Sequence, residues 1–136
     1  MIEQELRYLA SLVKENPGCI VVGQSLGAWW ASNLALQANL LIKKLVLWTP
    51  VCDVSAYPIF KASRKFHPAY QKVKFNHGPH RVLTINADRD LLVPADAHGN
   101  ELSKLFLSMN YDLKGGHFIQ SNHSAALQYM KDWIET

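Results

Sequence analysis

Stretches with helical hydrophobic spacing alternate with short, continuous apolar runs along this chain. Apolar residues recur every three or four positions over residues 2–15 and predict a helix, which Pro17 and Gly18 end. The run Cys19–Val22 has no alternation and is rich in β-branched residues, a pattern typical of a strand buried on both faces. A second helix is predicted over 26–38; because it is apolar nearly all round, we expect it to be well buried.

The same two patterns continue to the end of the sequence. Two further helices are predicted over 95–107 and 122–134, the first with Leu102, Leu105 and Phe106 facing inward. Alternating helices and apolar strands predict an α/β fold with three α/β/α layers around a mostly parallel sheet. The three further strands are predicted at Leu45–Trp48, Arg81–Asn86 and Met109–Leu113.

The part of the chain between the second and third strands departs from this regularity. Residues 50–80 are punctuated by prolines and rich in aromatic residues, without a sustained helical or strand pattern. Long excursions of this kind often cover a functional site, although the aromatic residues could equally serve to attach the loop to the domain. The sequence therefore predicts one domain over residues 1–136, with an irregular, cap-like segment at 50–80.

Length and composition favour an ordinary globular protein. A chain of 136 residues is long enough to form one domain with a hydrophobic core. Its composition, 49% hydrophobic and 18% charged, is that of an ordinary globular protein. No apolar run is long enough to span a membrane, and the polar start of the chain does not resemble a secretory signal. Cys19 and Cys52 are expected to be core thiols, so a reducing cytoplasm is the expected location. No Cys/His spacing predicts a metal site, and no cofactor is expected.

The net charge of +3 is unevenly distributed. Between Val54 and Ala87 there are six basic residues and no acidic one. Such a segment could favour anionic ligands, but no nucleic-acid-binding motif accompanies it. We therefore expect a solvated basic surface and no nucleic-acid partner.

The sequence Gly23-Gln24-Ser25-Leu26-Gly27 joins the first predicted strand to the second predicted helix. A G-x-S-x-G turn in this context is the pattern of a nucleophile elbow, which holds a serine hydroxyl clear of the sheet. Both glycines are expected at positions where a Cβ would collide with the neighbouring strand or helix. The N-terminal N–H groups of the helix, beginning with Leu26, are expected to face the oxygen of a reacting carbonyl group.

A serine hydroxyl needs a neighbouring base, usually a histidine that a carboxylate orients. Ser25, Asp90 and His117 occur in the order Ser, Asp, His, and each lies in a loop after a predicted strand. Because the carboxyl ends of parallel strands meet at one edge of the sheet, we expect these three side chains to converge there.

Other residues could fill two of these positions. Asp88 is two residues from Asp90, and Asp53 follows the second strand, so either could be the orienting acid; a turn-capping role would also explain both. His123 could replace His117, although a surface position at the start of the last helix is the simpler interpretation. The remaining histidines are expected to face solvent: His67, His77, His80 and His98.

Three segments carry a resemblance to a known family: Val21–Ala28, Asn86–Pro94 and Gly115–Phe118. With them, the chain resembles the C-terminal two-thirds of a small α/β-hydrolase, most closely the compact serine hydrolases of the retinoblastoma-binding-protein and YdeN-like family. In that family the acid precedes the proline of a D-x-x-V-P pattern by four residues, which implies Asp90. The family histidine lies in G-H-F, which implies His117.

The resemblance implies a carboxylesterase-like serine hydrolase that cleaves a small acyl ester, thioester or amide through an acyl-enzyme. The N–H of Leu26 would be one donor of the oxyanion hole. Family members supply a second donor from a loop that precedes the nucleophile strand, and this sequence begins after that loop. The alternative is a truncated or degenerate hydrolase fold that acts as a non-catalytic protein-binding module.

The same resemblance makes the strand at 19–22 an edge of the sheet, because the family's preceding strands are missing. The sequence has no lysine or proline within this strand to discourage pairing. We therefore expect the edge to pair with a second copy of the chain, with a separate N-terminal fragment, or with the first helix of the chain folded across it.

Overall fold

The helices and strands follow one another in the predicted order. The computed structural model describes residues 2–37, 41–54, 57 and 78–136. The cap-like segment predicted at 50–80 therefore lies mostly outside the described residues. The elements are α1 (Ile2–Glu15), β1 (Cys19–Gln24), α2 (Leu26–Gln37), β2 (Ile42–Trp48), β3 (Val82–Ala87), α3 (Gly99–Phe106), β4 (Met109–Leu113) and α4 (His123–Ile134).

Within the described residues, four strands form one parallel sheet in the order β1-β2-β3-β4. In register, Gln24 at the end of β1 pairs with Trp48, and Trp48 pairs with Ile85 near the end of β3. The carboxyl ends of neighbouring strands therefore lie side by side at one edge of the sheet. The loops after β1, β3 and β4 all leave from this edge, so residues far apart in sequence can meet there.

Alternate residues of the central strands face opposite sides of the sheet. Leu45 and Leu47 pack into a core formed with α1, α2 and α3, whereas Val46 and Trp48 pack into a second core with Trp133 of α4. The predicted three-layer α/β/α arrangement is confirmed. Strand β2 is buried on both faces because apolar helices cover each side.

Strand β2 begins earlier than predicted and includes a buried lysine. Lys44 Nζ donates to the carbonyl oxygen of Trp133 at 2.5 Å and to Oγ1 of Thr136 at 2.9 Å. The ammonium group also lies 4.5 Å from the centre of the Trp133 ring, which suits a cation–π contact. Burial lowers the pKa of Lys44, and the neighbouring Lys43 lowers it further. The Lys44 ammonium group of β2 thus binds the C-terminal end of α4 and holds that helix against the strand.

Helix α3 begins at Gly99, later than the predicted residue 95. Residues 95–98 form turns instead, and Gly99 packs so closely on β3 that an added Cβ would lie 1.8 Å from Oδ1 of Asn86. Leu102 and Phe106 are buried as predicted, but Leu105 is exposed, so its predicted inward position is wrong.

Strand β1 lies at the edge of the sheet and is only partly covered. Cys19, Ile20 and Val21 are half-buried, and Val22 is 51% exposed. The prediction that this strand is buried on both faces is therefore wrong, because α1 and α2 cover one side and the described residues leave Val22 open on the other. None of the helices in the described ranges has the length and hydropathy that crossing a membrane requires.

Candidate active site

Ser25 occupies the sharp turn between β1 and α2. Its φ of 54° lies in the left-handed region, which is costly for a residue with a side chain. Three backbone hydrogen bonds hold this conformation: the Ser25 N–H donates to Trp48 at 2.8 Å, and its carbonyl accepts from Val51 at 3.0 Å and Ala28 at 3.1 Å. Hydrogen bonds from β2, from the loop after β2 and from α2 thus stabilise the strained backbone of Ser25.

The two glycines of the elbow have different roles. A Cβ on Gly23 would lie 2.6 Å from Cα of Ala28 and 2.7 Å from Cβ of Ala31, so this position requires glycine. A Cβ on Gly27 would meet nothing within 4 Å. The expectation that both glycines avoid a collision is therefore confirmed for Gly23 and wrong for Gly27, since the first turn of α2 points the Gly27 Cβ position away from the sheet.

The side chains of Ser25, His117 and Asp90 meet at the carboxyl edge of the sheet. Oγ of Ser25 lies 3.0 Å from Nε2 of His117, and Nδ1 of His117 lies 2.6 Å from Oδ2 of Asp90. Because a carboxylate only accepts hydrogen bonds, Nδ1 of the imidazole carries the proton. Nε2 of the neutral ring is then free to accept the serine hydroxyl hydrogen. The geometry is that of a hydroxyl activated by a base that a carboxylate orients.

Asp90 is held from its other side by its own loop. Its Oδ1 accepts the N–H groups of Leu92 at 3.0 Å and Val93 at 2.7 Å. The Asp90 and His117 side chains are 1% and 7% exposed, so water has little access to their hydrogen bond. A carboxylate with both oxygens engaged in this way has one orientation available to it.

The alternative acids have other contacts. Asp88 Oδ1 accepts the N–H of Gly115 at 2.8 Å, so this side chain binds the backbone of the His117 loop rather than the imidazole. Asp53 is half-buried, and its backbone N–H donates to His98. His123 is exposed at the first position of α4, as expected, where Nδ1 lies 3.2 Å from Gln120.

His98 is the residue that sequence patterns place wrongly. It is 2% exposed instead of facing solvent, and its Nδ1 accepts the N–H groups of Cys52 at 3.0 Å and Asp53 at 3.2 Å. Its ring stacks on Tyr57 with centroids 5.8 Å apart. Burial lowers the pKa of His98, partly offset by three aspartates that raise it: Asp53, Asp90 and Asp96.

Of the other histidines, His80 is exposed as expected, whereas His67 and His77 lie outside the described residues. Most of the basic segment also lies outside them. Among the residues that the structure does describe, no three His, Cys, Asp or Glu side chains are arranged to hold a metal ion.

A small apolar pocket adjoins the serine. Its volume is about 170 Å³, and apolar atoms dominate its lining. Leu26, at the first position of α2, contributes one wall; its N–H is among the helix N-terminal groups that have no acceptor within the helix. Beyond Ser25 and Leu26, the lining consists of residues from the loops after β2 and β3: Val51, Tyr57, Leu92 and Val93.

The loops that carry Asp90 and His117 also present apolar side chains to solvent. Phe118 and Ile119 follow His117 and are 82% and 83% exposed. Leu91 and Leu92 follow Asp90 and are exposed as well. Exposed apolar side chains thus directly follow both the acid and the histidine in the chain, where an apolar group of a ligand could contact them.

Solved structures with the same fold are plentiful, although no family model and no curated protein sequence matches the chain. The monoacylglycerol lipase of Paleococcus ferrophilus superposes with a TM-score of 0.74 at 13% identity, over 98% of this chain and 74% of the lipase. The Bacillus cereus carboxylesterase superposes with a TM-score of 0.69 at 15% identity, over 98% of this chain and 60% of the carboxylesterase. CarC, a serine hydrolase involved in carbazole degradation, superposes with a TM-score of 0.70 at 15% identity, over 99% of this chain and 71% of CarC.

The parallel sheet, its helices and these superpositions show that the chain has the α/β-hydrolase fold. The likeness extends over nearly the whole chain, which spans between 60% and 74% of these three proteins. At such low identity it concerns the fold alone. The narrower resemblance to the retinoblastoma-binding-protein and YdeN-like family stays a prediction.

Proposed function

We propose that this chain is a serine hydrolase that cleaves a small acyl ester, thioester or amide. The observation that carries the proposal is the continuous hydrogen-bonded chain from Ser25 Oγ through His117 to Asp90, with spacings of 3.0 Å and 2.6 Å. A serine on a strained turn, a histidine of defined tautomer and a buried carboxylate are the parts that nucleophilic acyl transfer needs.

In the proposed first step, Ser25 Oγ bonds to the carbonyl carbon while its proton moves to Nε2 of His117. The carbonyl oxygen becomes an oxyanion, for which the N–H of Leu26 at the start of α2 is the proposed donor. The carbon then loses its alcohol, thiol or amine, which takes the proton from His117. Water attacks the resulting acyl-enzyme in the same way and restores the serine. Asp90 stabilises the imidazolium that forms twice in this cycle.

The pocket beside Ser25 supports an apolar acyl group in the substrate. Its walls are aliphatic or aromatic, and its volume of about 170 Å³ suits a short chain rather than a bulky one. The thiol, alcohol or amine portion would lie outside this pocket, toward His117 and the exposed Phe118 ring that contacts it. A small acyl ester is therefore the substrate class that we favour.

Covalent labelling tests the proposal directly. A fluorophosphonate should modify the wild-type protein at Ser25, and Ser25→Ala should not be labelled. His117→Ala should lower both labelling and hydrolysis of p-nitrophenyl butyrate by about a thousand-fold or more. His123→Ala is the matched control, because His123 is an exposed histidine without a contact to Ser25. Equal labelling of wild type and His117→Ala would contradict the assignment of the base.

The alternative, a non-catalytic protein-binding module, makes the opposite prediction for the same experiment. It is favoured by the exposed Val22 on the edge strand β1, a surface with no role in the hydrolase proposal. Neither labelling nor hydrolysis by correctly folded wild-type protein would then be expected.

A further inference from the structure

His98 connects the two loops that form the acyl pocket, although it does not contact the serine–histidine pair. Its Nδ1 lies within hydrogen-bonding distance of two backbone N–H groups, those of Cys52 and Asp53. Both belong to the loop that follows β2, and Val51 of the same loop lines the pocket. Nδ1 must be unprotonated to accept these bonds, so the proton of the neutral ring is on Nε2.

The other ring nitrogen points to the second wall of the pocket. Nε2 lies 3.4 Å from the hydroxyl oxygen of Tyr57, and that hydroxyl donates to the carbonyl oxygen of Leu92 at 2.9 Å. The directions of these hydrogen bonds agree: Nε2–H points to the tyrosine oxygen, and the tyrosine hydrogen points to Leu92. Tyr57 and Leu92 both line the pocket, on opposite loops.

The loop of Leu92 is also the loop of Asp90. The N–H of Leu92 donates to Oδ1 of Asp90, so one peptide segment bonds to Tyr57 through its carbonyl and to the acid through its N–H. A displacement of Tyr57 would therefore change the pocket wall first and the acid only indirectly. His98 holds the Tyr57 side chain in two ways. Its Nε2 lies 3.4 Å from the Tyr57 hydroxyl oxygen, and its ring stacks on the Tyr57 ring.

We propose that His98 is a positioning residue that fixes the Val51 and Tyr57 walls of the acyl pocket and so sets the acyl-chain length that the site accepts. The inference rests on the proposed hydrolase function and extends it to specificity. The neutral Nε2–H form is required, because a proton on Nδ1 would face the N–H groups of Cys52 and Asp53. The charged and titratable groups around the ring are Tyr57, Asp53, Asp90 and Asp96.

Two substitutions at His98 distinguish the effect of its hydrogen-bond acceptor from the effect of its volume. His98→Asn places an amide oxygen near the position of Nδ1, so it keeps an acceptor for the two N–H groups. His98→Leu fills similar space but offers no acceptor. His80→Leu, which changes an exposed histidine, is the matched control. The substrates are p-nitrophenyl acetate, butyrate, hexanoate and octanoate.

His98→Leu is expected to raise KM for the hexanoate about ten-fold while kcat changes less than about threefold, because loss of one hydrogen-bonded wall removes binding rather than chemistry. The effect on acetate, which barely enters the pocket, should be smaller. His98→Asn keeps the acceptor for the N–H groups of Cys52 and Asp53 but loses the ring contact with Tyr57, so it should recover only part of the wild-type chain-length profile. An equal loss on acetate and hexanoate, an unchanged profile in His98→Leu, or equal defects in the Asn and Leu variants would overturn the proposal.

A second measurement does not depend on hydrolysis and separates the failure of this inference from failure of the proposed function. Long-range ¹H–¹⁵N spectra of the imidazole nitrogens should show His98 as the neutral Nε2–H tautomer at pH 7. The backbone amide signals of Cys52, Asp53 and Leu92 should shift in His98→Leu, and those of Cys52 and Asp53 should return toward wild type in His98→Asn. A protein that hydrolyses no ester but shows these signals retains the positioning network and lacks the activity. An Nδ1–H tautomer would overturn the network itself.

Discussion

Asp88 and Gly115 join the loop of the proposed acid to the loop of the proposed base. Oδ1 of Asp88 accepts the N–H of Gly115 at 2.8 Å, and the N–H of Arg89 donates to the Gly115 carbonyl at 2.9 Å. Gly115 has a φ of 148°, and a Cβ there would lie 2.3 Å from the Ile119 carbonyl oxygen, so this turn requires glycine. Asp90 thus holds the ring of His117, whereas Asp88 holds the loop that carries His117.

The two aspartates should differ in the size of their effects on hydrolysis. Asp90→Asn is expected to lower kcat by about 10⁴, because an amide in place of the carboxylate favours the wrong imidazole tautomer. Asp88→Asn keeps an oxygen acceptor for Gly115 and should lose less than about threefold, whereas Asp88→Ala should lose about ten-fold by loosening the loop. Steady-state kinetics on p-nitrophenyl butyrate would measure this. A larger loss in Asp88→Asn than in Asp90→Asn would exchange the two roles.

The glycines of the elbow provide a matched pair for stability. Gly23→Ala forces a methyl group to within 2.6 Å of the α2 backbone and should destabilise the fold by about 3 kcal/mol or prevent folding. Gly27→Ala meets no atom within 4 Å in the first turn of a helix and should be neutral or stabilising by up to about 1 kcal/mol. Urea unfolding of both variants is the measurement. A destabilised Gly27→Ala protein would show that this glycine is needed for its backbone.

Buried, neutral His98 should make stability depend on pH. Because burial lowers its pKa in the folded protein, the unfolded chain binds the proton first as the pH falls below about 6.5. Stability should therefore be fully retained above that pH and decrease below it, by up to about 1.4 kcal/mol per pH unit until His98 itself protonates.

The His98→Asn variant serves as the reference for this pH effect, because it lacks only this titrating group. Urea unfolding of both proteins at pH 7.5, 6.0 and 5.0 gives the difference in free energy of unfolding. The wild type should lose stability relative to the variant as the pH falls. A difference that stays constant over this range would mean that His98 protonates equally in the folded and unfolded states.

Strand β1 should act as a pairing edge. Within the described residues its only strand partner is β2, and Val22 is half-exposed beside the open edge. We propose that this edge pairs with the same edge of a second copy of the chain. Light scattering should then give a molar mass above that of the monomer, and the outward-facing amides of residues 20–22 should exchange slowly.

A substitution on the edge strand tests whether β1 mediates association. Val22→Lys adds a charge that disfavours strand pairing and should shift the protein toward monomer. Tyr8→Lys, which replaces an exposed aromatic residue on α1, controls for a general gain in charge. A stable wild-type monomer with rapidly exchanging β1 amides would show that the open edge is tolerated.

The sheet and the candidate triad can be predicted because each depends on local patterns. Continuous apolar runs such as Leu45–Trp48 identify strands to within a few residues, and parallel topology then brings the following loops to one edge. Ser25 and His117 each lie in such a loop beside glycines, so their meeting follows from topology without any knowledge of side-chain contacts.

What the sequence misses depends on contacts between distant segments. His98 looks like a surface residue in its own segment, and its burial depends on the N–H groups of Cys52 and Asp53 in another loop. The role of Asp88 requires the loop after β4 to lie beside the end of β3. The choice between Asp88 and Asp90 therefore cannot be made from spacing alone, because both aspartates follow the same strand.

Ser25 and its proposed base, His117, are 92 residues apart in the chain and belong to loops at the two outer strands of the sheet that the described residues form. Every pairing between those strands is parallel, so none can form as a local hairpin, and all three must be in place before Oγ reaches Nε2. A ribosome-bound chain that still lacks β4 would carry a chemically inert serine. The moment at which a fluorophosphonate first labels Ser25 during synthesis would therefore report when the sheet is complete.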